Sequence, residues 1–233
     1  MLSKLQKDLR SFTNPEKAKI LGRFFKTGKG EYGEGDKFLG IILPLQRSIV
    51  RKYWKEITFE EMKELVKSPL HEERLVSLLI AVDKFEKGNK KERKEIYDFY
   101  LSHTKFINNW DLVDLTAPRI IGAYLHDKDK EILTMLAKSK SLWEKRISIL
   151  STFYFIRQGD PSETFRIARL LINDKHDLIH KAVGWMLREI GKRCGEKAEE
   201  KFLQKYYKTM PRTMLRYAIE KFDNKKRKYY LAK

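Results

Sequence analysis

Cysteine is nearly absent from this sequence, with one, Cys194, in 233 residues. A lone thiol excludes a disulfide framework and any cysteine-rich zinc site, and it fits a reducing compartment. Proline and glycine are scarce too, at 6 and 12, so there are few places where a regular helix is forced to stop. No stretch approaches the roughly 18 consecutive apolar residues of a membrane span. The N-terminal Met-Leu-Ser-Lys-Leu-Gln-Lys-Asp-Leu-Arg is amphipathic and charged, without the apolar run of a signal peptide. A cytoplasmic protein with no membrane partner is expected. Acidic residues are in deficit, 32 Asp plus Glu against 50 Lys plus Arg, for a formal charge of +18. Such an excess is solvated positive charge suited to a polyanion, with nucleic acid the first candidate. The histidines at positions 71, 103, 126, 176 and 180 show no metal-ligand spacing. Solvated or capping roles suffice for them, and no metal or cofactor is expected.

What is present is apolar residue at helical spacing. The chain is 42% hydrophobic and 12% aromatic, enough to bury a sizeable core. Its apolar residues recur at i, i+3, i+4 and i+7, and no segment alternates as a strand. Helices are predicted to begin near Leu2, Pro15, Leu45, Thr58, Ser68, Lys90, Asn109, Asp129, Ser141, Asp160, Lys175, Glu196, Pro211 and Asn224. Thr58-Phe-Glu-Glu61 reads as a capping box, and Pro161 suits a first turn after Asp160. Setting His71-Glu-Glu-Arg-Leu-Val-Ser-Leu against Trp143-Glu-Lys-Arg-Ile-Ser-Ile-Leu superposes Arg74 on Arg146, 72 residues apart, or twice 36. Two-helix units of that size are HEAT-like. The expected fold is all-α, a curved solenoid of HEAT-like hairpins forming a single domain over 1–233 with a concave basic groove. The glycine-rich insertion at 28–40 contains a literal G-x-G-x-x-G from Gly28 to Gly33. A helix precedes it, however, and Glu31, Glu34 and Asp36 would repel phosphate, so it reads as a flexible loop.

Three stretches carry candidate chemistry. In Asn108 to Asp114, Trp110 and Asp114 are four apart and share a helix face. Continuing the helix at 100° per residue puts Val113, Ala117, Ile121 and Tyr124 on the same arc, so Asp114 sits on an apolar face and needs a cation or a chemical role. The second stretch is a predicted helix from Leu142 to Arg157. Arg146 projects there from an arc of Leu142, Trp143, Ile147, Ile149, Leu150, Phe153 and Tyr154, and is the candidate partner of Asp114. That pair would either fix the register of adjacent repeats or belong to a site. In the third, Lys181 to Lys192, an apolar arc of Ala182, Val183, Met186, Leu187 and Ile190 opposes one of Lys181, Trp185, Arg188 and Lys192. An outward Trp185 among cations, with Gly184 and Gly191 leaving room alongside, suits the approach of a nucleotide backbone. Arg47 and Arg51, beside Lys52 after Pro44, are further phosphate-contact candidates, though a solvated face explains them equally well. Lys225-Lys-Arg-Lys228 adds nonspecific attraction.

These residues resemble the AlkD-like DNA alkylation repair glycosylases, whose HEAT-like repeats wrap DNA. The likeness lies in Asn-Trp-Asp-Leu-Val-Asp at 109–114, Leu-Trp-Glu-Lys-Arg-Ile-Ser-Ile-Leu at 142–150 and Lys-Ala-Val-Gly-Trp-Met-Leu-Arg-Glu at 181–189. A fourth stretch, from Phe25-Lys26 through Phe38-Leu-Gly-Ile41, is similar to the family's N-terminal segment with a longer glycine-rich insertion. The resemblance implies that Trp110, Asp114, Arg146 and Trp185 surround a lesion nucleotide, with Arg188 near its backbone. Relatives that bind DNA without excising bases lack parts of that set. Phe25 stands where a tyrosine is common, so no hydroxyl is available there.

The implied activity is hydrolysis of the N-glycosidic bond of cationic alkylpurines, such as 3-methyladenine and 7-methylguanine, in double-stranded DNA. Asp114 would stabilise positive charge developing on the sugar, as in glycoside hydrolysis, and Trp110 and Trp185 would pack against that sugar. Two other readings stay open: a noncatalytic module for branched or otherwise unusual nucleic acid, and a scaffold for acidic proteins. A monomer is expected. If nucleic acid is the partner, affinity measured across a salt series should fall with a log–log slope of about −0.9 per phosphate neutralised. A slope near zero would point to protein partners instead.

Overall fold

Apolar residues at helical spacing become helices along the whole chain. In the computed structural model, which describes residues 1–232, there is one compact unit from Met1 to Thr116 and another from Ala117 onward. The first contains α1 (Leu2–Arg10), α2 (Pro15–Phe24), α3 (Leu43–Tyr53), α4 (Phe59–Leu65), α5 (His71–Lys87), α6 (Lys90–Ser102) and α7 (Trp110–Asp114). The second contains α8 (Glu131–Ala137), α9 (Leu142–Ser151), α10 (Phe153–Arg157), α11 (Ser162–Leu171), α12 (Asp177–Arg193), α13 (Glu196–Tyr206), α14 (Arg212–Ala218) and α15 (Asn224–Leu231). Among the described residues the one β pairing is an isolated parallel bridge between Lys37 and Leu70. The fold is all-α, as expected, and no described helix is long and apolar enough to cross a membrane.

Helix starts obey local capping chemistry. Thr58 and Glu61 form the reciprocal capping box read from the sequence. Asn14, Asn109 and Ser141 cap α2, α7 and α9 with side-chain oxygens that accept backbone N–H groups. In the first unit α5 is the central element: every residue from His71 to Val82 is buried, and α3, α4, α6 and α7 all pack on it. In the second unit α12 has that place, with α9, α10, α11, α13 and α14 around it. A shared detail supports the repeat. Ser77 Oγ on α5 donates to the Met62 carbonyl at 2.8 Å, and Ser148 Oγ on α9 donates to the Leu133 carbonyl at 2.6 Å. The two serines are 71 residues apart, one short of the spacing between Arg74 and Arg146.

Two predicted helices are shorter than the wheel arithmetic assumed. The stretch from Leu142 to Arg157 breaks at Thr152, where the Ser151 and Thr152 hydroxyls both donate to carbonyls of the preceding turn, at 2.7 Å each. Helix α7 ends at Asp114 after five residues, and Pro118, which has no N–H, opens a π-helical turn over Pro118–Gly122. Placing Ala117, Ile121 and Tyr124 on the arc of Asp114 is therefore corrected: no continuous helix connects them.

In the second unit α12 packs closely across α14. A Cβ added at Gly184 would lie 2.4 Å from the Met214 carbonyl oxygen and 2.6 Å from Tyr217 Cβ, and neither backbone can yield without moving a helix. Gly184→Ala should lower unfolding stability by about 1–3 kcal/mol, measured by urea denaturation monitored by circular dichroism.

Candidate functional site

Helix α5 is buried around its whole circumference from Leu75 to Val82, and its first turn is buried with it. That turn is His71-Glu72-Glu73-Arg74, four ionisable side chains with exposures of 1%, 1%, 1% and 4%. Each must find a partner. Glu72 accepts the backbone N–H groups of Leu39, Gly40 and Ile41 at 2.9, 2.8 and 3.1 Å. Glu73 accepts Arg10 Nε at 2.9 Å and Ser68 Oγ at 2.6 Å. Arg74 pairs with Asp36 and donates to the Ser68 carbonyl at 2.9 Å.

His71 is held at both nitrogens. Its Nδ1 is 2.9 Å from Asp36 Oδ2 and its Nε2 is 2.8 Å from Asp111 Oδ2. An ionised carboxylate only accepts, so both ring nitrogens donate and the ring is an imidazolium. Burial opposes that charge, but Asp111 and Asp36 outweigh it and hold the His71 pKa up at about 9. Burial also opposes the charge on Asp36, while His71 and Arg74 keep its pKa below the ordinary carboxylate value. The insertion read as a flexible loop is therefore pinned at its end by a buried aspartate. Its other acids serve the loop as well, since Glu31 accepts the Gly28 N–H at 2.9 Å and Glu34 the Gly30 N–H at 2.8 Å. Gly33 is packed so closely that a Cβ there would meet the Phe25 carbonyl oxygen at 2.5 Å.

A column of aromatic rings rises from this cluster. Phe38 stacks on His71 with centroids 4.4 Å apart, Phe25 on Phe38 at 5.0 Å and Trp110 on Phe25 at 4.9 Å. Phe24, 60% exposed, meets Trp110 edge-on at 5.7 Å. Trp110 is half-buried and so is Asp114, one helical turn on. Burial pushes up the pKa of the Tyr100 hydroxyl, its hydrogen bond to Thr116 works the other way, and the charge of Asp114 adds to the rise. Of the two aspartates in the motif, Asp111 is thus committed to His71 and Asp114 lies by a buried tyrosine.

In the second unit, Arg146 is buried on α9 and donates to the Leu178 carbonyl at 2.6 Å. Trp185 is half-buried, consistent with its predicted turn away from the core. Its Nε1 donates to Glu189 Oε1 at 3.3 Å, and Arg193 Nε donates to Glu189 Oε2 at 3.0 Å. Lys181 pairs with Asp177 at 2.7 Å, and Arg188 pairs with Glu220. Exposed pairs of this kind contribute about 0–1 kcal/mol, so a phosphate can take over such cations. Lys192, Arg47 and Arg51 are exposed, whereas Lys52 is paired with Asp8 at 2.5 Å. The room expected beside Trp185 is not there. Gly184 is buried against α14, and a Cβ on Gly191 would meet Glu199 Oε2 at 1.9 Å, so both glycines serve helix packing.

The sequence reading missed His71, Asp36 and Asp111. A signal for His71 was present: four consecutive ionisable residues leading into a run with no polar face, which buries whatever is in its first turn. For Asp36 and Asp111, 35 and 40 residues away from His71, there was no local signal.

Residues 5–222 match the family model described as DNA alkylation repair enzyme. No match was found among curated proteins. Among solved structures, the chain is similar to a predicted DNA alkylation repair enzyme from Enterococcus faecalis, with a TM-score of 0.70 at 16% identity over 91% of this chain and 97% of that one.

The buried imidazolium gives the first unit a pH signature. Its raised pKa means that His71 contributes its full stabilisation below the unfolded-state value of about 6.5 and loses it as pH rises through about 9. Unfolding free energy from urea titrations should therefore drop between pH 6.5 and 9.5, by something on the order of a few kcal/mol. In His71→Gln that drop should be smaller, leaving the part set by Glu199, whose pKa burial raises to about 9.

Proposed function

We infer, because this chain belongs to the DNA alkylation repair enzyme family, that it is a DNA glycosylase releasing cationic alkylpurines, such as 3-methyladenine and 7-methylguanine, from duplex DNA. Family membership carries the coarser part, a role in DNA repair with DNA as the partner. The observation that carries the finer part is α7, where a tryptophan on an aromatic column and a half-buried carboxylate are one helical turn apart.

The chemistry asks little more. Alkylation at N3 or N7 leaves the purine cationic and thus a good leaving group. The C1′–N bond breaks with its electron pair going to the base, which becomes neutral, while positive charge develops on the deoxyribose. Asp114, ionised and partly screened from water, stabilises that charge, and water then adds to C1′ and gives up a proton. Trp110 packs against the sugar and offers a π face to the cation, and Trp185 gives the second unit an aromatic face of the same kind. Arg146, Lys181, Arg188 and Lys192 on the second unit and Arg47 and Arg51 on the first neutralise backbone phosphates. A monomer needs no further subunit for this reaction.

Asp114→Asn should lower release of 7-methylguanine from methylated duplex DNA by about a hundred- to a thousandfold, with DNA affinity largely kept. Released bases are measured by chromatography and affinity by fluorescence anisotropy. Undiminished release in the variant would remove Asp114 from the mechanism. A wild-type chain that binds branched or gapped DNA but never generates abasic sites would make it a noncatalytic module.

A further inference from the structure

Base release by Trp110, Asp114 and their partners gives no role to the most elaborate polar construction in the first unit. His71 is 1% exposed, too buried to meet a ligand at the surface, yet the 28–40 segment, α5 and α7 all meet at its ring through Asp36, the helix itself and Asp111. For stability alone such a network is a poor choice, because apolar residues of similar volume commonly do as well as a buried ion cluster. The imidazolium adds direction. Each N–H fixes one carboxylate along one line, and charge-assisted bonds of this length weaken if either acid moves.

Direction matters at Asp111 because that residue belongs to α7. The helix has five residues, too few to be stable alone, so its orientation must come from tertiary contacts. Asp111 is next to Trp110 and three residues before Asp114, and holding it fixes the rotation of α7 about its own axis. The stack of Phe38, Phe25 and Trp110 on the same imidazole adds a second constraint from below. The charged groups facing the ring are Asp36 from the loop and Asp111 from α7, with Arg74 of α5 on the far side of Asp36. Glu72 and Glu73 of the same turn are engaged by loop amides and by Arg10.

We propose that His71 is a positioning residue of the DNA site, an imidazolium clamped between Asp36 and Asp111 that locks α7 so that Trp110 and Asp114 keep the geometry for base release, a role whose catalytic half rests on the glycosylase reading. The clamp also makes the glycine-rich 28–40 segment part of the site's framework. Loss of one ring proton would leave a carboxylate facing a nitrogen lone pair, so deprotonation of His71 opens the clamp on one side and loosens its hold on α7.

The test uses the full chain with 15N-labelled histidine. In the wild type both His71 ring nitrogens should carry protons at neutral pH and titrate near pH 9. In Asp111→Asn, which keeps an acceptor oxygen but removes its charge, the titration should move to lower pH. Trp110 emission, taken as the difference between the wild type and Trp110→Phe, should track that titration in both proteins. The kcat for 7-methylguanine release should fall by about a hundredfold in Asp111→Asn and in His71→Gln, with KM little changed because the phosphate contacts remain. A neutral His71 at pH 7, a Trp110 signal indifferent to its titration, or folded variants with wild-type kcat would overturn the proposal. If His71→Gln does not fold, Asp111→Asn decides alone. If the wild type releases no base, the glycosylase reading fails, and the histidine and Trp110 signals still decide whether His71 positions α7.

Discussion

The first turn of α5 is the constraint on which the rest of the first unit depends. Because the helix behind it is buried on every side, four consecutive ionisable residues are carried into the interior together, and each must be matched there. The matching partners come from far along the chain: Arg10 from α1, the amides of 39–41 and Asp36 from the glycine-rich segment, and Asp111 from α7. One helical turn thus fastens three separate stretches. Removing a whole partner such as Asp36 would leave the buried His71 and Arg74 charges poorly matched, a loss of about 3–5 kcal/mol for a buried pair. This is why the segment behaves as one construction and not as four independent pairs.

The two tryptophans implicated by the family resemblance are supported in comparable ways. Trp110 is fixed by its neighbour Asp111, which His71 holds, and by the rings beneath it. Trp185 is fixed by Glu189, which Arg193 holds in turn. In each case a half-exposed indole is steadied by a carboxylate that is itself committed to a cation. Aromatic surface left partly open to solvent is useful only if its rotamer is set in advance, and a second layer of ionic bonds does that. Phe25 has a structural task as the middle ring between Phe38 and Trp110.

Much of this architecture was legible in the sequence, and its gaps have physical causes. The all-helical class, the capping box at Thr58 and the helix starts near Asn109 and Ser141 depend on residues within a few positions of one another, where periodicity and capping chemistry act. The outward turn of Trp185 came from the same local arithmetic. Extrapolation failed where a helix ended without a glycine or proline at the break: Thr152 interrupts α9 and α10 through hydroxyl groups, and α7 stops before Pro118 can force it to. Gly184 and Gly191 were read as space for a ligand because a sequence cannot tell what fills the place of a missing side chain; the filler is a neighbouring helix in one case and Glu199 in the other. His71 was dismissed for want of metal spacing. Its importance comes from pairings over 35 and 40 residues, and such distances leave no periodic trace.

The division of labour within α7 bears on why two aspartates stand three residues apart. Under the proposed chemistry the catalytic carboxylate must stay ionised while presenting its charge to a developing cation on the sugar. A positive group placed directly against it to hold it still would cancel much of that field. Fastening the helix through Asp111 holds the acid without adding a further cation against it. The charges of His71 and Arg74 are balanced by those of Asp36 and Asp111, so the clamp is close to neutral as a whole and its field fades within a short distance. Asp114 is oriented by a cluster that adds little net charge of its own. A short helix with one acid for anchoring and another for chemistry is therefore a better arrangement than a single acid asked to do both.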